Sequence, residues 1–166
     1  MIETERLLLR RWREEDKAPF HQMNSDPDVM RFLPKALSRE ESDAMVFRTE
    51  EHFERNGFSW WALEKNETGE FIGFAGLVIP TFEAHFTPCV EIGWRLAKAH
   101  WKHGYATEAA KAALDFGFSK IGLQEIISLT VPGNRPSIAV MERLGMKRKP
   151  SDDFDHPRLP EGHELR

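Results

Sequence analysis

One stretch constrains the fold more than any other. Val90-Glu91-Ile92-Gly93-Trp94-Arg95-Leu96 leads through a short polar segment into Gly104-Tyr105-Ala106-Thr107-Glu108-Ala109-Ala110. The first part is apolar and aromatic-rich, with charge confined to Glu91 and Arg95, and reads as a strand. From Thr107 onward Ala110, Ala113, Leu114 and Phe118 recur at helical spacing. A helix that begins at a glycine has free N–H groups in its first turn, and the positive end of its dipole favours an anion such as a phosphate. Gly104 allows close approach of a ligand to the backbone, and Ala106 adds little bulk. Taken alone, this stretch fits an ordinary strand-to-helix turn equally well.

The rest of the chain narrows the choice. Its 166 residues suit one domain over residues 1–166, with a sizeable core. A net charge of −4 and the lack of a basic run give no footing for a nucleic-acid backbone or an anionic membrane. Cys89 is the only cysteine, so no internal disulfide can form and a reducing, cytoplasmic setting fits. No apolar run is long enough to span a bilayer, and Leu7-Leu8-Leu9 is too short for a signal-peptide core. There is no internal repeat or linker.

In order, residues 6–12 read as a first strand. Glu14-Glu15-Asp16 then load the first turn of a helix ending near Asn24. After the Asp26-Pro27-Asp28 turn, a short helix is expected over residues 29–33. Ser38 followed by Glu41 is a capping-box pattern opening a helix to about Arg55, stopped at Asn56-Gly57, with Met45, Phe47 and Phe53 on its buried side. Strands are expected over 58–64 and 70–79, joined by a hairpin turn at 66–69. A loop fills 81–88. After the central strand and helix come a strand over 125–131, a turn at Pro132-Gly133-Asn134, and a helix over 137–144 stopped by Gly145. Residues 146–166 are charged and proline-rich. This order describes a mixed α/β domain with helices on a central sheet.

Three stretches together resemble the GCN5-related N-acetyltransferases (GNAT), in the branch of the ribosomal-protein alanine N-acetyltransferases. They are Thr4-Glu5-Arg6-Leu7-Leu8-Leu9-Arg10, the segment from Glu91-Ile92-Gly93-Trp94 to Trp101-x-x-Gly104-Tyr105-Ala106-Thr107-Glu108-Ala109, and Asn134-x-x-Ser137-x-x-x-Met141-x-x-Leu144-Gly145-Met146. The resemblance runs from Glu3 to Arg148. It implies a central, mostly antiparallel, splayed sheet flanked by helices. Two departures stand out. Trp101 holds the first place of the general Gln/Arg-x-x-Gly-x-Gly/Ala loop, and Lys102 follows it where glycine is frequent in the branch. The family's closing strand has little to form from, because Pro150, Pro157 and Pro160 interrupt the tail, with only residues 146–149 left to start one. A strand over 125–131 would then keep an exposed edge, which points to self-association as a two-fold dimer.

The resemblance also implies the chemistry: acetyl transfer from the co-substrate acetyl-CoA to an amine, by direct attack without a covalent enzyme intermediate. The acceptor would be a protein N-terminus, an amino acid or another small amine. Pyrophosphate donors would come from Lys102, His103, Gly104, Tyr105, Ala106 and Thr107. The pantetheine arm would pair with the strand near Trp94, Arg95 and Leu96, which would also offer an N–H to the thioester oxygen. Asn134, Ser137 and Met141 complete the expected cofactor contacts. Three residues are candidate catalysts. Glu91 is a general base, directly or through water, or else a carboxylate that tethers a loop or faces solvent. Ser137 assists the departing thiolate or simply starts a helix. His156 is a base or acceptor contact, or a tail histidine without a role. Of Trp60 and Trp61, on alternate faces of a strand, one belongs to the core and one to the acceptor groove. His100 and His103 lack the further ligands that zinc needs, and no metal is expected. Cys89 has no predictable histidine partner, and direct attack by the amine needs no nucleophile from the protein. The rival readings are a non-catalytic acyl-CoA-binding module and a generic nucleotide-binding domain. The latter is disfavoured by the lack of a Gly-Lys-Ser/Thr loop or a Gly-x-Gly-x-x-Gly fingerprint.

Overall fold

A computed structural model describes residues 1–165; Arg166 lies outside the described residues. Five strands, β1 (Ile2–Glu3), β2 (Leu7–Arg10), β3 (Trp60–Lys65), β4 (Phe71–Val78) and β5 (Glu91–Leu96), form one antiparallel sheet in chain order. Leu9 pairs with Leu63, Trp61 with Ala75, and Ala75 with Trp94. The helices are α1 (Lys17–Ser25), α2 (Arg39–Asn56), α3 (Tyr105–Phe116) and α4 (Arg135–Arg143).

The sheet is covered on both faces. On one, Leu7, Leu9, Trp61, Leu63, Ala75, Leu77, Ile92 and Leu96 pack against Ala109, Ala110 and Ala113 of α3. The three alanines have no exposed surface, so α3 lies close against the strands. On the other face Phe20 and Met23 of α1 and Val46 of α2 pack around Phe74 of β4. Trp12 and Trp60 close this cluster, 4.7 Å from the Phe20 ring and 4.9 Å from the Phe74 ring. Glycine is required in β4: a Cβ at Gly73 would lie 2.2 Å from the Arg95 carbonyl oxygen, and one at Gly76 2.1 Å from that of Ser59.

Arg10 carries the one densely bonded buried charge group. Its Nη1 and Nη2 donate to the Asp16 carboxylate at 2.7 and 2.9 Å, and its Nε donates to Glu64 Oε2 at 2.6 Å. Asp16 also accepts the Arg13 N–H at 2.8 Å, which fixes the start of the first helical turn. These bonds hold Arg10 well above its ordinary pKa. A buried charge is tolerated when its hydrogen-bonding capacity is filled in this way.

Several expectations hold and several fail. The Ser38–Glu41 capping box forms, and Gly57 ends α2 at φ +77°. The 66–69 turn joins β3 to β4 with Gly69 N–H on the Lys65 carbonyl at 2.8 Å. Residues 29–33, by contrast, make turns rather than a helix. Pro27 and Pro34 bracket too few residues to repay helix nucleation. Phe47 is 65% exposed, because the buried stripe of α2 runs through Val46, Thr49 and Phe53 and places the next residue, Phe47, outward. Residues 125–131 form no strand. They touch the sheet through one parallel bridge, Glu91 to Ile127. Residues 146–149 add no strand either. Gly145 turns left-handed at φ +77°, and Arg148 is drawn into a salt bridge with Asp153.

Candidate active site

The segment between β5 and α3 is held from both ends. Trp101 Nε1 donates to the Leu96 carbonyl at 2.9 Å, which folds the turn back on the strand it leaves. Lys102 and Gly104 both adopt left-handed backbone, at φ +64° and +81°. That conformation suits glycine at 104 and is uncommon for a side chain such as that of Lys102. The Glu108 N–H makes the first intrahelical bond of α3, to the Gly104 carbonyl at 3.0 Å. The N–H groups of Tyr105, Ala106 and Thr107 precede it and have no intrahelical acceptor. Beside this turn lies a cavity of about 430 Å³ lined by Lys102, Gly104, Thr107, Glu108, Lys111 and Arg143. Three cations beside a helix N-terminus make an anion site. Lys111 and Arg143 are absent from the sequence reading, although Lys111 lies one turn after Thr107 on the same face of α3.

A clasp across the sheet sets this loop. Glu108 Oε1 accepts from Thr4 Oγ1 at 2.7 Å and from the Arg6 N–H at 2.9 Å, and Oε2 accepts from Arg6 Nε at 2.7 Å. Arg6 Nη1 donates to the His103 carbonyl at 2.8 Å, and its guanidinium stacks 4.6 Å from the Tyr105 ring centre. Burial alone would raise the Glu108 pKa; the bonds from Thr4 and Arg6 outweigh it and lower the pKa. Thr4, Arg6 and Glu108 belong to two of the quoted motifs, and their direct contact gives those motifs a physical link. His103 stacks on Tyr105 with centroids 5.7 Å apart, while His100 Nε2 lies 3.4 Å from Glu70.

On the outer edge of β5 the ladder starts and then stops. Ile127 N–H donates to the Val90 carbonyl at 3.0 Å, and Ile92 N–H donates to the Ile127 carbonyl at 2.8 Å. Continued parallel pairing would bring the Leu129 N–H to the Ile92 carbonyl. The Ser128 hydroxyl takes that acceptor instead, at 3.0 Å. The two segments therefore separate beyond Ile92. Strand alternation turns the Trp94 N–H and carbonyl to the same edge as those of Ile92, into the opening wedge. Arg95 offers its backbone to β4 rather than to the wedge, and the Leu96 carbonyl is already taken by Trp101. Of Trp94, Arg95 and Leu96, the Trp94 backbone and the Leu96 N–H face the wedge, and the Arg95 backbone faces β4.

Across the wedge, α4 begins at Asn134, whose Oδ1 accepts the Ser137 N–H at 3.4 Å. Asn134 is thus the cap of this helix. The half-buried Ser137 hydroxyl makes no hydrogen bond among the described residues, so it does not cap the helix. Met141 is half-buried one turn further on.

Glu91, Gly93 and Arg95 share the opposite face of β5 from Ile92 and Trp94. The half-buried Glu91 carboxyl has no partner among the described residues, and burial pushes its pKa up to about 7. Arg95 Nη1 donates to Asn24 Oδ1 at 2.7 Å, its guanidinium lies 5.1 Å from the Phe74 ring centre, and burial lowers its pKa to about 10. Trp61 is buried in the core at 3% exposure, whereas Trp60 is half-buried with a fully buried, unpartnered Nε1. His156 does not join this group through any contact among the described residues. Its ring packs on Phe82 at 4.6 Å, and its Nδ1 accepts the Arg158 N–H at 3.2 Å. Burial, and next Arg158, lower its pKa. Burial also raises the Cys89 thiol, with Glu91 and Glu125 adding to it, so no thiolate is favoured there.

A strand edge that splays beside a helix N-terminus is the setting in which the comparisons with known proteins agree. The model of the acetyltransferase (GNAT) domain matches residues 6–147. The chain belongs to the GNAT acetyltransferases. The uncharacterized N-acetyltransferase YnaD of Bacillus subtilis (strain 168) is 32% identical over 163 residues, 98% of this chain and 90% of its own. The uncharacterized protein YkkB of the same organism is 36% identical over 144 residues, 86% of this chain and 83% of its own. A GNAT-family acetyltransferase structure from Bacillus anthracis superposes with a TM-score of 0.75 at 30% identity, covering 89% of this chain and 84% of that one. As a GNAT member this chain is an N-acetyltransferase, of a family that takes its acetyl group from acetyl-CoA.

Proposed function

We propose that the single domain binds acetyl-CoA along the wedge and transfers its acetyl group directly to a primary amine. The observation that carries this reading is the ladder broken at Ser128, which leaves the Trp94 N–H and carbonyl open beside the cationic N-terminus of α3. The first turn of α3, with Lys102, Lys111 and Arg143, receives the phosphates. Trp94 offers its N–H to the thioester oxygen as that oxygen becomes negative. The amine nitrogen bonds to the carbonyl carbon, and the carbon–sulfur bond breaks. Glu91 takes the amine's proton, directly or through water, and Ser137 supports the departing thiolate. His156, packed against Phe82, has no step in this reading.

Calorimetric titration with CoA, followed by thiol release from acetyl-CoA against a panel of amines that includes peptide N-termini, tests the proposal. Binding together with amine-dependent release supports it. Binding without release from any amine overturns the transfer and leaves an acyl-CoA-binding module.

We also propose that the protein self-associates as a two-fold dimer. Residues 125–131 have no paired strand on their outer side among the described residues, and Phe118 and Ile121 lie exposed nearby in sequence, at 46% and 37%. Light scattering on a size-exclusion column at micromolar concentration reads this directly, and a clean monomer overturns it.

A further inference from the structure

Two desolvated arginines, the buried Arg10 and the half-buried Arg95, are treated very differently. Arg10 has two carboxylates, Asp16 and Glu64, on its guanidinium. Arg95 has none among the described residues: its partners are the neutral Asn24 amide oxygen and the face of Phe74. Asn24 is itself fully buried and fixed by its Nδ2 bond to Ser42 Oγ at 2.9 Å. Arg95 is therefore held in one place by neutral groups, with its charge unanswered. A guanidinium has five donors in a planar fork, and one of these goes to Asn24. A desolvated cation without an anion is costly, and chains retain such an arrangement where a ligand supplies the anion.

A second unanswered donor stands beside it. Trp60 Nε1 is buried without a partner, and a Cβ built on Gly93 would lie 3.6 Å from it. The indole N–H thus borders the position left bare by Gly93. On β5, Gly93 sits between Glu91 and Arg95 on their shared face, and at about 3.3 Å per residue those two lie roughly 13 Å apart along the strand. That distance keeps the carboxyl and the guanidinium from pairing with each other. The shared face carries a proton acceptor at Glu91, the Trp60 indole N–H midway along it at Gly93, and the Arg95 guanidinium at the far end.

We propose that this face of β5 selects acceptor amines that carry a carboxylate, with Arg95 and the Trp60 indole N–H holding the carboxylate and Glu91 on the side of the amine. This deepens the acetyl-transfer reading given above and rests on it. An amino acid has the required polarity, an ammonium that gives up a proton and an anion a few bonds away, and water spans the remaining gap from the amine to Glu91. A polyamine offers Arg95 a second cation, and an amino-acid amide offers it no charge.

Thiol release from acetyl-CoA with matched acceptors tests the assignment: L-amino acids, their amides, their decarboxylated amines, a polyamine and a short peptide. The free amino acids are expected to exceed their amides in kcat/KM by about ten- to hundredfold, mostly through KM, as loss of a charge-assisted contact implies. Arg95→Met keeps the stem on Phe74 and should remove that preference, while Arg95→Lys restores part of it. Trp60→Phe keeps the ring and should weaken the preference about three- to tenfold. An amide, polyamine or peptide that matches the amino acids in the unmodified protein overturns the proposal and leaves acetyl transfer standing. A preference that survives Arg95→Met in a folded variant also overturns it. CoA binding with no release from any amine refutes the acetyl-transfer reading itself, and this inference with it.

Discussion

Replacing Glu108 by glutamine tests whether the clasp on Arg6 sets the phosphate loop. The change keeps the side chain's shape. It also keeps one oxygen to accept from Thr4 Oγ1 and the Arg6 N–H, at 2.7 and 2.9 Å in the parent. It removes the acceptor that meets Arg6 Nε at 2.7 Å and puts an NH₂ donor in its place. A charge-assisted bond of this kind contributes about 1.5–3 kcal/mol where it is well shielded. Here the Arg6 side chain is 42% exposed and Glu108 17%, so solvent screening reduces the expected loss to about 1 kcal/mol. For a domain of this size that loss lowers Tm by about 2–4 °C. The same loosening frees the His103 carbonyl from Arg6 Nη1, and CoA must then order the loop as it binds. An ordering cost near 1 kcal/mol weakens CoA binding about fivefold. Urea denaturation reads the first number and calorimetric titration the second. A double-mutant cycle with Arg6→Met should return a coupling of about 0.5–1 kcal/mol. The sign with pH is also fixed. Glu108 has a lowered pKa in the fold, so the clasp contributes fully above the ordinary carboxylate range and fades as pH falls through that lowered value. Glu108→Gln with unchanged CoA affinity would refute the coupling between clasp and loop.

Glu91, raised from 4.5 to about 7 by burial, should give a turnover rate that climbs with pH through about 7, a limb that Glu91→Gln abolishes; the same raised value means that stability falls between about pH 4.5 and 7, and the variant should flatten that slope in thermal melts. Ser137→Ala should lower turnover with nearly unchanged acetyl-CoA affinity, because its contact strengthens only as the thiolate leaves; equal turnover under chemistry-limited conditions removes Ser137 from the reaction. Asp16→Ala strands the buried Arg10 and should cost about 3–5 kcal/mol in urea denaturation, with Asp16→Leu combined with Arg10→Met recovering much of it.

The sequence made the local devices legible and concealed the distant ones. Ser38 and Glu41, Gly57, the 66–69 turn and the alternation of Trp60 and Trp61 each depend on neighbours a few positions away, and each takes the expected form. Residues 125–131 are rich in β-branched residues, yet their pairing ends because one serine side chain replaces one backbone donor, which no propensity scale registers. Arg10, Asp16 and Glu64 look like surface charges until three elements bring them together. Thr4, Arg6 and Glu108 stand about a hundred positions apart, and both motifs were recognisable without any sign that they touch. Lys111 and Arg143 look like solvated helix positions until α3 and α4 converge on one cavity.

The lone bridge between Glu91 and Ile127 has a thermodynamic consequence. Two backbone hydrogen bonds and the Ser128 hydroxyl tie the segment after α3 to the backbone of the sheet, whereas β3 and β4 are zipped along most of their length. Amide exchange should therefore divide the molecule into a slow meander and a faster C-terminal portion that opens on its own. A cofactor lodged in the wedge would touch both portions and would act as the missing rungs. The fold and its ligand would then be mechanically one object, with the second portion's protection factors climbing as CoA is added while those of the meander barely change.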